Sequence, residues 1–238
     1  MTRGNWALAL HGGAGAVRER SYEREELHML SLLQRGQDLL SSGVSALDVV
    51  TIMAEALEAS GLHVAGRGAH PNKAGAFELD AAIMDGPSRG AGAVAALQGF
   101  ASPIRAARAV MEHSPHVLLV GEGASAFAKE HRLTEIGDPA QFFTSAGSGV
   151  PIDGGLRGTI GAVALHNSGR LAVATSTAGT RNKLHGRVGD SAIIGAGCWA
   201  DESVAVSCTG IGEYFRCGRC AQPVRSAFLS RQNVSRAH

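Results

Sequence analysis

The chain has 238 residues, 22 Lys and Arg against 21 Asp and Glu, a net charge of +1, and 45% apolar against 18% charged residues. That is enough for one domain with a real core, and the balance is globular rather than disordered. Near-neutral charge gives no footprint for nucleic acid or an anionic membrane as partner, and no apolar run is long enough to span a bilayer.

In chain order, Trp6 to Leu10 reads as a buried strand, an apolar run too short for a signal peptide. It ends in His11-Gly12-Gly13-Ala14-Gly15. A helix follows from Glu23 to Leu40 with Leu27, Leu30 and Leu33 on one face. A second helix has Ser45 as N-cap and Leu47, Val50, Ala54 and Leu57 as its apolar stripe. Glu78 to Met84 and Gly90 to Leu97 read as strands paired around Asp85-Gly86-Pro87. Pro103 opens a short helix over Ile104 to Met111. His116 to Val120 is a strand and Ala124 to His131 a helix.

From Thr144 to Arg157, Ser145, Gly147, Ser148, Gly149, Pro151, Gly154 and Gly155 crowd together, the composition of a surface loop suited to cleavage. Thr159 to Leu165 and Leu171 to Thr177 then read as a hairpin turned at Asn167-Ser168-Gly169. Ser203 to Cys208 is a further strand, followed by Thr209-Gly210-Ile211-Gly212. Strands run together with helices grouped apart, which predicts an α+β layered sandwich rather than a doubly wound sheet. Most of the 32 glycines fall at the ends of short apolar runs, as tight turns require.

The chemistry concentrates around Thr159, in Gly158-Thr159-Ile160-Gly161. A threonine hydroxyl is a poor nucleophile unless a base lies against it. Cutting the chain at Gly158–Thr159 would free the α-amine of Thr159 to be that base. Thr177 closes the partner strand of the proposed hairpin, so the two hydroxyls can meet. Arg187 and Asp190, held by glycines in Gly186-Arg187-Val188-Gly189-Asp190, suit the carboxylate and ammonium of an amino-acid zwitterion. Thr209 and Gly210 end a strand at a Gly-rich turn, a place for an oxyanion hole. On spacing alone, surface salt bridges and turn caps explain the same residues.

Several segments together carry a resemblance. They are Leu10-His11-Gly12-Gly13-Ala14-Gly15-Ala16, Glu78-Leu79-Asp80-Ala81 with Met84-Asp85-Gly86, and Gly158-Thr159-Ile160-Gly161-Ala162-Val163-Ala164-Leu165. To these add Thr175-Ser176-Thr177-Ala178-Gly179, Asn182-Lys183 with Gly186 to Ser191, and Val206-Ser207-Cys208-Thr209-Gly210 with Gly212-Glu213. In order, from about Trp6 to Phe215, they resemble the plant-type asparaginase/isoaspartyl peptidase family, whose members are N-terminal-nucleophile (Ntn) hydrolases.

The resemblance implies an αββα sandwich made as a precursor that splits at Gly158–Thr159 into an α part (1–158) and a β part starting at Thr159. It implies Thr159 as nucleophile, Thr177 as its hydrogen-bonding assistant, and Arg187 and Asp190 as binders of the aspartyl α-carboxylate and α-amine. Thr209 and Gly210 would form the oxyanion hole, with Gly212 lining the pocket. The implied substrates are L-asparagine and β-aspartyl dipeptides or peptides, with no cofactor and a dimer of α/β heterodimers. A structural sodium ion is implied by analogy, because Val64-Ala65-Gly66-Arg67-Gly68-Ala69 aligns with a family loop that often binds sodium through backbone carbonyls.

Two departures stand out. Many family members carry an asparagine where this chain has Val64, and nearby Asn72 is a candidate to compensate. The resemblance stops at Phe215, where family members continue with further strands and helices. Residues 1–215 are therefore expected to form one Ntn-hydrolase-like domain lacking its C-terminal strands and helices, as a truncation or frame shift would produce. Residues 216–238, with five arginines and no Asp or Glu, read as an aberrant basic tail.

Rival readings are a glycosylasparaginase-like hydrolase, an inactive remnant and a plain amino-acid-binding module. A dinucleotide loop at His11 to Gly15 is disfavoured because Arg18 stands where its last glycine belongs. Cys217-Gly218-Arg219-Cys220 is half of a zinc site with no second half. Cys198 and Cys208 read as buried thiols, and the late cysteines as a whole suit a reduced, cytoplasmic setting.

Overall fold

The computed structural model of the protein describes residues 5–17, 20–145 and 157–218. Arg18, the Gly/Ser/Pro-rich stretch from 146 to 156, Cys220 and the arginine-rich segment after 218 lie outside them.

In chain order the elements are β1 (Ala7–His11), α1 (Glu23–Ser41), α2 (Ala46–Ala59), a single 3-10 turn (Gly66–Gly68), β2 (Leu79–Asp85), β3 (Ala91–Leu97), α3 (Pro103–His113), β4 (Leu118–Val120) and α4 (Gly121–Glu130). They continue with α5 (Pro139–Phe142), β5 (Arg157–Leu165), β6 (Leu171–Thr180), β7 (Cys198–Ala200), β8 (Ala205–Ser207) and α6 (Gly212–Gly218). Six strands form one sheet in the order β1-β5-β6-β2-β3-β4, antiparallel except where β3 meets β4. Strands β7 and β8 form a separate antiparallel pair.

The sheet is buried on both faces, and its two-residue period sorts the side chains between two cores. Ala81, Ile83 and Ile160 face a core shared with Val50, Met53 and Leu57 of α2 and Ile104 of α3. Ala82, Met84 and Val173 face the other way, against Cys198 and Ala200 of β7. The order helices, large sheet, small sheet is the expected α+β layering. No helix among the described residues is long and apolar enough to cross a membrane.

Local signals account for most boundaries. Ser45 caps α2 by accepting from Asp48 N–H at 3.1 Å, and α3 begins with Ser102 as cap and Pro103 inside the first turn. Three expectations need correction. Leu27, Leu30 and Leu33 do share a face of α1, but it points outward, with Leu27 61% and Leu30 62% exposed. The buried face is Leu32, Gly36 and Leu40, because Gly36 makes the room that Leu8 and Met53 occupy. Strand β1 is not fully buried, since it lies at the sheet edge and pairs with β5 alone. The predicted strand at Ser203–Cys208 is the shorter β8, whose partner β7 had no strand-like signal.

Candidate active site

The hairpin of β5 and β6 carries the centre of the site. Its antiparallel register pairs Thr159 with Thr177 and Arg157 with Thr180, so two residues of β6, Ala178 and Gly179, stand opposite the single Gly158 of β5. Such a bulge bends the strand and re-aims its peptide groups. Thr177 Oγ1 accepts the Gly179 N–H at 2.9 Å and donates to the Gly158 carbonyl oxygen at 2.5 Å. With one lone pair taken by Gly179, the hydroxyl proton is directed at Gly158. The hydroxyl of Thr177 thus reaches the carbonyl in front of Thr159 rather than the hydroxyl of Thr159 itself. Thr159 Oγ1 lies instead 3.5 Å from Ser191 Oγ, a side chain with no exposure at all.

Gly158 is glycine for a steric reason. A Cβ there would come within 2.3 Å of Val64 Cβ and 2.7 Å of Val64 N. Val64 is anchored by accepting from Ala178 N–H at 3.0 Å, so its apolar side chain is pressed on the peptide before Thr159. Asn72 does not stand in for the missing asparagine. Its Oδ1 accepts from the N–H groups of Ala74 and Ala76, and its Nδ2 lies 3.3 Å from His185 Nδ1.

Behind Thr159, a polar chain fixes the strand. His11 Nε2 is 2.8 Å from Ser207 Oγ, which is 2.7 Å from Thr175 Oγ1. Burial holds the His11 imidazole below its ordinary range, against a hydrogen bond to the backbone of Thr159 that favours its charge. Gly161 lies flat beneath this chain, because a Cβ there would sit 2.1 Å from Ser207 Oγ and 2.2 Å from His11 Nε2.

The loop bearing Arg187 and Asp190 is tied to β2. Gly186 N–H donates to Glu78 Oε1 at 2.9 Å, and Lys183 Nζ donates to the Glu78 carbonyl at 3.1 Å. Asp190 is 4% exposed, its Oδ2 has no hydrogen-bond partner among the described residues, and burial raises its carboxyl above the usual carboxylate range. A buried acceptor without a donor fits an arriving ammonium group.

One small cavity, about 10 Å³, is lined by Gly158, Thr159, Thr177, Arg187, Asp190, Gly210 and Gly212, bringing together residues up to 54 positions apart in sequence. Of the residues singled out in the sequence, Thr209 alone is absent from the lining; its buried hydroxyl has no partner among the described residues. Sequence reasoning gave no role to Ser191, to Glu78 or to Glu213. All three lie in the segments that carry the resemblance, but only the tertiary contacts show what they hold.

The implied sodium ion falls on Val64–Ala69. There the carbonyls of Val64, Ala65, Gly66 and Arg67 each accept a protein donor, at 2.9 to 3.1 Å, and keep a second lone pair that an ion could use. No step of the chemistry passes through such an ion. The described residues contain no cluster of three or more His, Cys, Asp or Glu suited to another metal.

Comparison with known proteins places the chain in a family. A family model described as asparaginase matches residues 4–149 and 150–237. The isoaspartyl peptidase of Salmonella typhimurium is 47% identical over 231 residues, covering 87% of this chain and 74% of that protein. The isoaspartyl peptidase of Escherichia coli is 45% identical over 236 residues, covering 89% of this chain and 73% of that protein. The plant-type L-asparaginase of Pyrobaculum calidifontis is 42% identical over 225 residues, with 87% and 74% covered.

Proposed function

This chain belongs to the asparaginase family, and from that premise we propose that it is an amidohydrolase of L-asparagine and β-aspartyl peptides that activates itself by cutting Gly158–Thr159. The observation that carries the reading is the Thr177 proton aimed at the Gly158 carbonyl oxygen beside a buried Thr159 hydroxyl.

In the cut, Thr159 Oγ1 attacks the Gly158 carbonyl carbon. Negative charge develops on the oxygen that Thr177 already serves, a donor in place before the charge arrives. The Oγ1 proton passes to the Thr159 nitrogen, the C–N bond breaks, the acyl group moves to Oγ1 as an ester, and water hydrolyses it. The products are a new carboxylate at Gly158 and a free α-amine on Thr159.

Turnover repeats this chemistry on an external carbonyl. The Thr159 amine takes the Oγ1 proton, and Oγ1 attacks the substrate's side-chain carbonyl. Arg187 holds the α-carboxylate and Asp190 the α-ammonium, while the Thr209 hydroxyl and Gly210 N–H receive the oxyanion and Gly212 leaves room beside Asp190. The leaving nitrogen takes the proton now held by the Thr159 ammonium and departs as ammonia or a peptide amine. Water then releases aspartate from the acyl-enzyme.

A dimer of two α/β units and a reduced, cytoplasmic setting belong to the same reading. The buried thiols of Cys198 and Cys208 support the setting, and sedimentation mass checks the assembly.

The test is intact mass and N-terminal sequencing of soluble protein, followed by assay on asparagine and on β-aspartyl-leucine. Two fragments, one starting at Thr159, with release of aspartate are expected. A soluble, folded chain that stays in one piece would sink the reading.

A further inference from the structure

Arg187 is held on the side away from the cavity. Its Nε and Nη2 both donate to one oxygen of Glu213, Oε1, at 3.0 and 2.8 Å. Nη1 faces the other way, 3.0 Å from where a Cβ on Gly189 would be and 3.2 Å from one on Gly179. Both glycines line the cavity around Thr159, whereas Glu213 does not. Three residues further along α6, Arg216 Nη1 donates to the Val188 carbonyl at 2.9 Å. The helix therefore grips the substrate-facing loop twice, once by a side chain and once by its backbone.

We propose that Glu213 and Arg216 brace the Arg187 loop, and that Glu213 is a positioning residue that presents Nη1 of Arg187 to the substrate's α-carboxylate. This rests on the reading of Arg187 as the carboxylate binder. An arginine carries a flexible stem with several rotamers, and ordering it at the moment of binding costs affinity. Glu213 meets that cost in advance by taking Nε and one hydrogen of Nη2. It leaves Nη1 and the second hydrogen of Nη2 for a second carboxylate. The carboxyl of Glu213 is only partly buried, its side chain 60% exposed, so it acts from the rim without closing the cavity.

A competing role is also possible for a carboxylate on this arginine, namely blocking the substrate. The geometry opposes it, because Glu213 occupies the guanidinium edge turned from the cavity. The two roles move KM in opposite directions.

The experiment compares wild type, Glu213→Ala and Glu213→Gln, each scored for self-cleavage and then assayed on β-aspartyl-leucine and on its analogue with the aspartyl α-carboxyl amidated. Glu213→Ala should be cut normally and show KM for the dipeptide raised about tenfold with kcat little changed. Glu213→Gln, which keeps an acceptor, should recover part of that loss. On the amidated analogue, which offers Arg187 no charge, the two variants should match wild type. An unchanged KM, a lowered KM, or an equal loss on both substrates overturns the brace. A wild type that cuts itself and turns over the dipeptide while these variants fail the prediction overturns the brace alone. A wild type that does neither overturns the functional reading and the brace with it.

Discussion

Thr177 Oγ1 lies 2.5 Å from the carbonyl oxygen of Gly158, closer than any other polar side-chain atom described around that peptide. Removing the hydroxyl while keeping the shape isolates its contribution. Thr177→Val should slow the cut by about 10²–10³-fold, the effect of losing one oxyanion donor. Thr159→Ala should stay uncut, whereas Thr159→Ser, which keeps a hydroxyl, should still cut. Band intensities on a denaturing gel over time after purification give all three rates. A Thr177→Val chain that processes at the wild-type rate would remove this residue from the mechanism.

Gly161→Ala drives a methyl group into both His11 and Ser207. The strand must shift or the His11–Ser207–Thr175 chain must open, costing roughly 1–3 kcal/mol, as overpacking does elsewhere. Thermal unfolding should show a lower midpoint, and cleavage should slow because Thr159 lies two residues earlier on the same strand. Retention of both wild-type values would show that this polar chain does not hold the nucleophile.

The raised carboxyl of Asp190 gives a pH signature. Burial is the main cause, with Glu213 and Asp80 adding to it and Arg187 and a backbone hydrogen bond opposing. Asp190 must be ionised to hold an ammonium, so on acidification kcat/KM should begin to fall above the ordinary carboxylate range. Asp190→Asn should lower kcat/KM by about 10²-fold, as loss of a buried charge partner does, and abolish that acid limb. A pH profile of both proteins on one substrate decides it.

Much of this architecture is legible in the chain. The stripe of α2, the β2–β3 and β5–β6 hairpins and the caps at Ser45 and Pro103 are local patterns, and local patterns survive folding. The buried face of α1 is not legible, because its middle contact is Gly36, which no count of apolar residues would choose. Strand β7 is three residues long in a glycine-rich stretch and exists because β8 and the sheet meet it. The site residues could be named, but Glu78, Ser191 and Glu213 act through partners between 26 and 108 positions away, a relation sequence spacing does not express.

Glu58, at the end of α2, has no exposure; Ser102 Oγ donates to its Oε2 at 2.6 Å and Ile104 N–H to its Oε1 at 3.0 Å. Burial pushes its carboxyl from 4.5 up to about 7, against the hydrogen bonds from Ser102 and Ile104. Between those values the folded chain keeps a proton that the unfolded chain has lost. Stability from this group is therefore present at low pH and declines as pH rises from 4.5 through 7, by about 3 kcal/mol. Glu58→Gln should flatten that decline in a plot of unfolding midpoint against pH. Parallel curves for variant and wild type would assign the slope to other groups.

The peptide bond in front of Thr159 has a kinetic meaning. While it stands, the Thr159 nitrogen is an amide without basicity, so an uncut molecule lacks the base that turns its hydroxyl on an external amino acid. Each chain must therefore act on itself once before it can act on anything else, and no neighbour's concentration enters that event. Onset of activity should follow a first-order lag whose half-time is the same in dilute and concentrated solution. A newly made chain would thus spare the surrounding asparagine until its own interval had run.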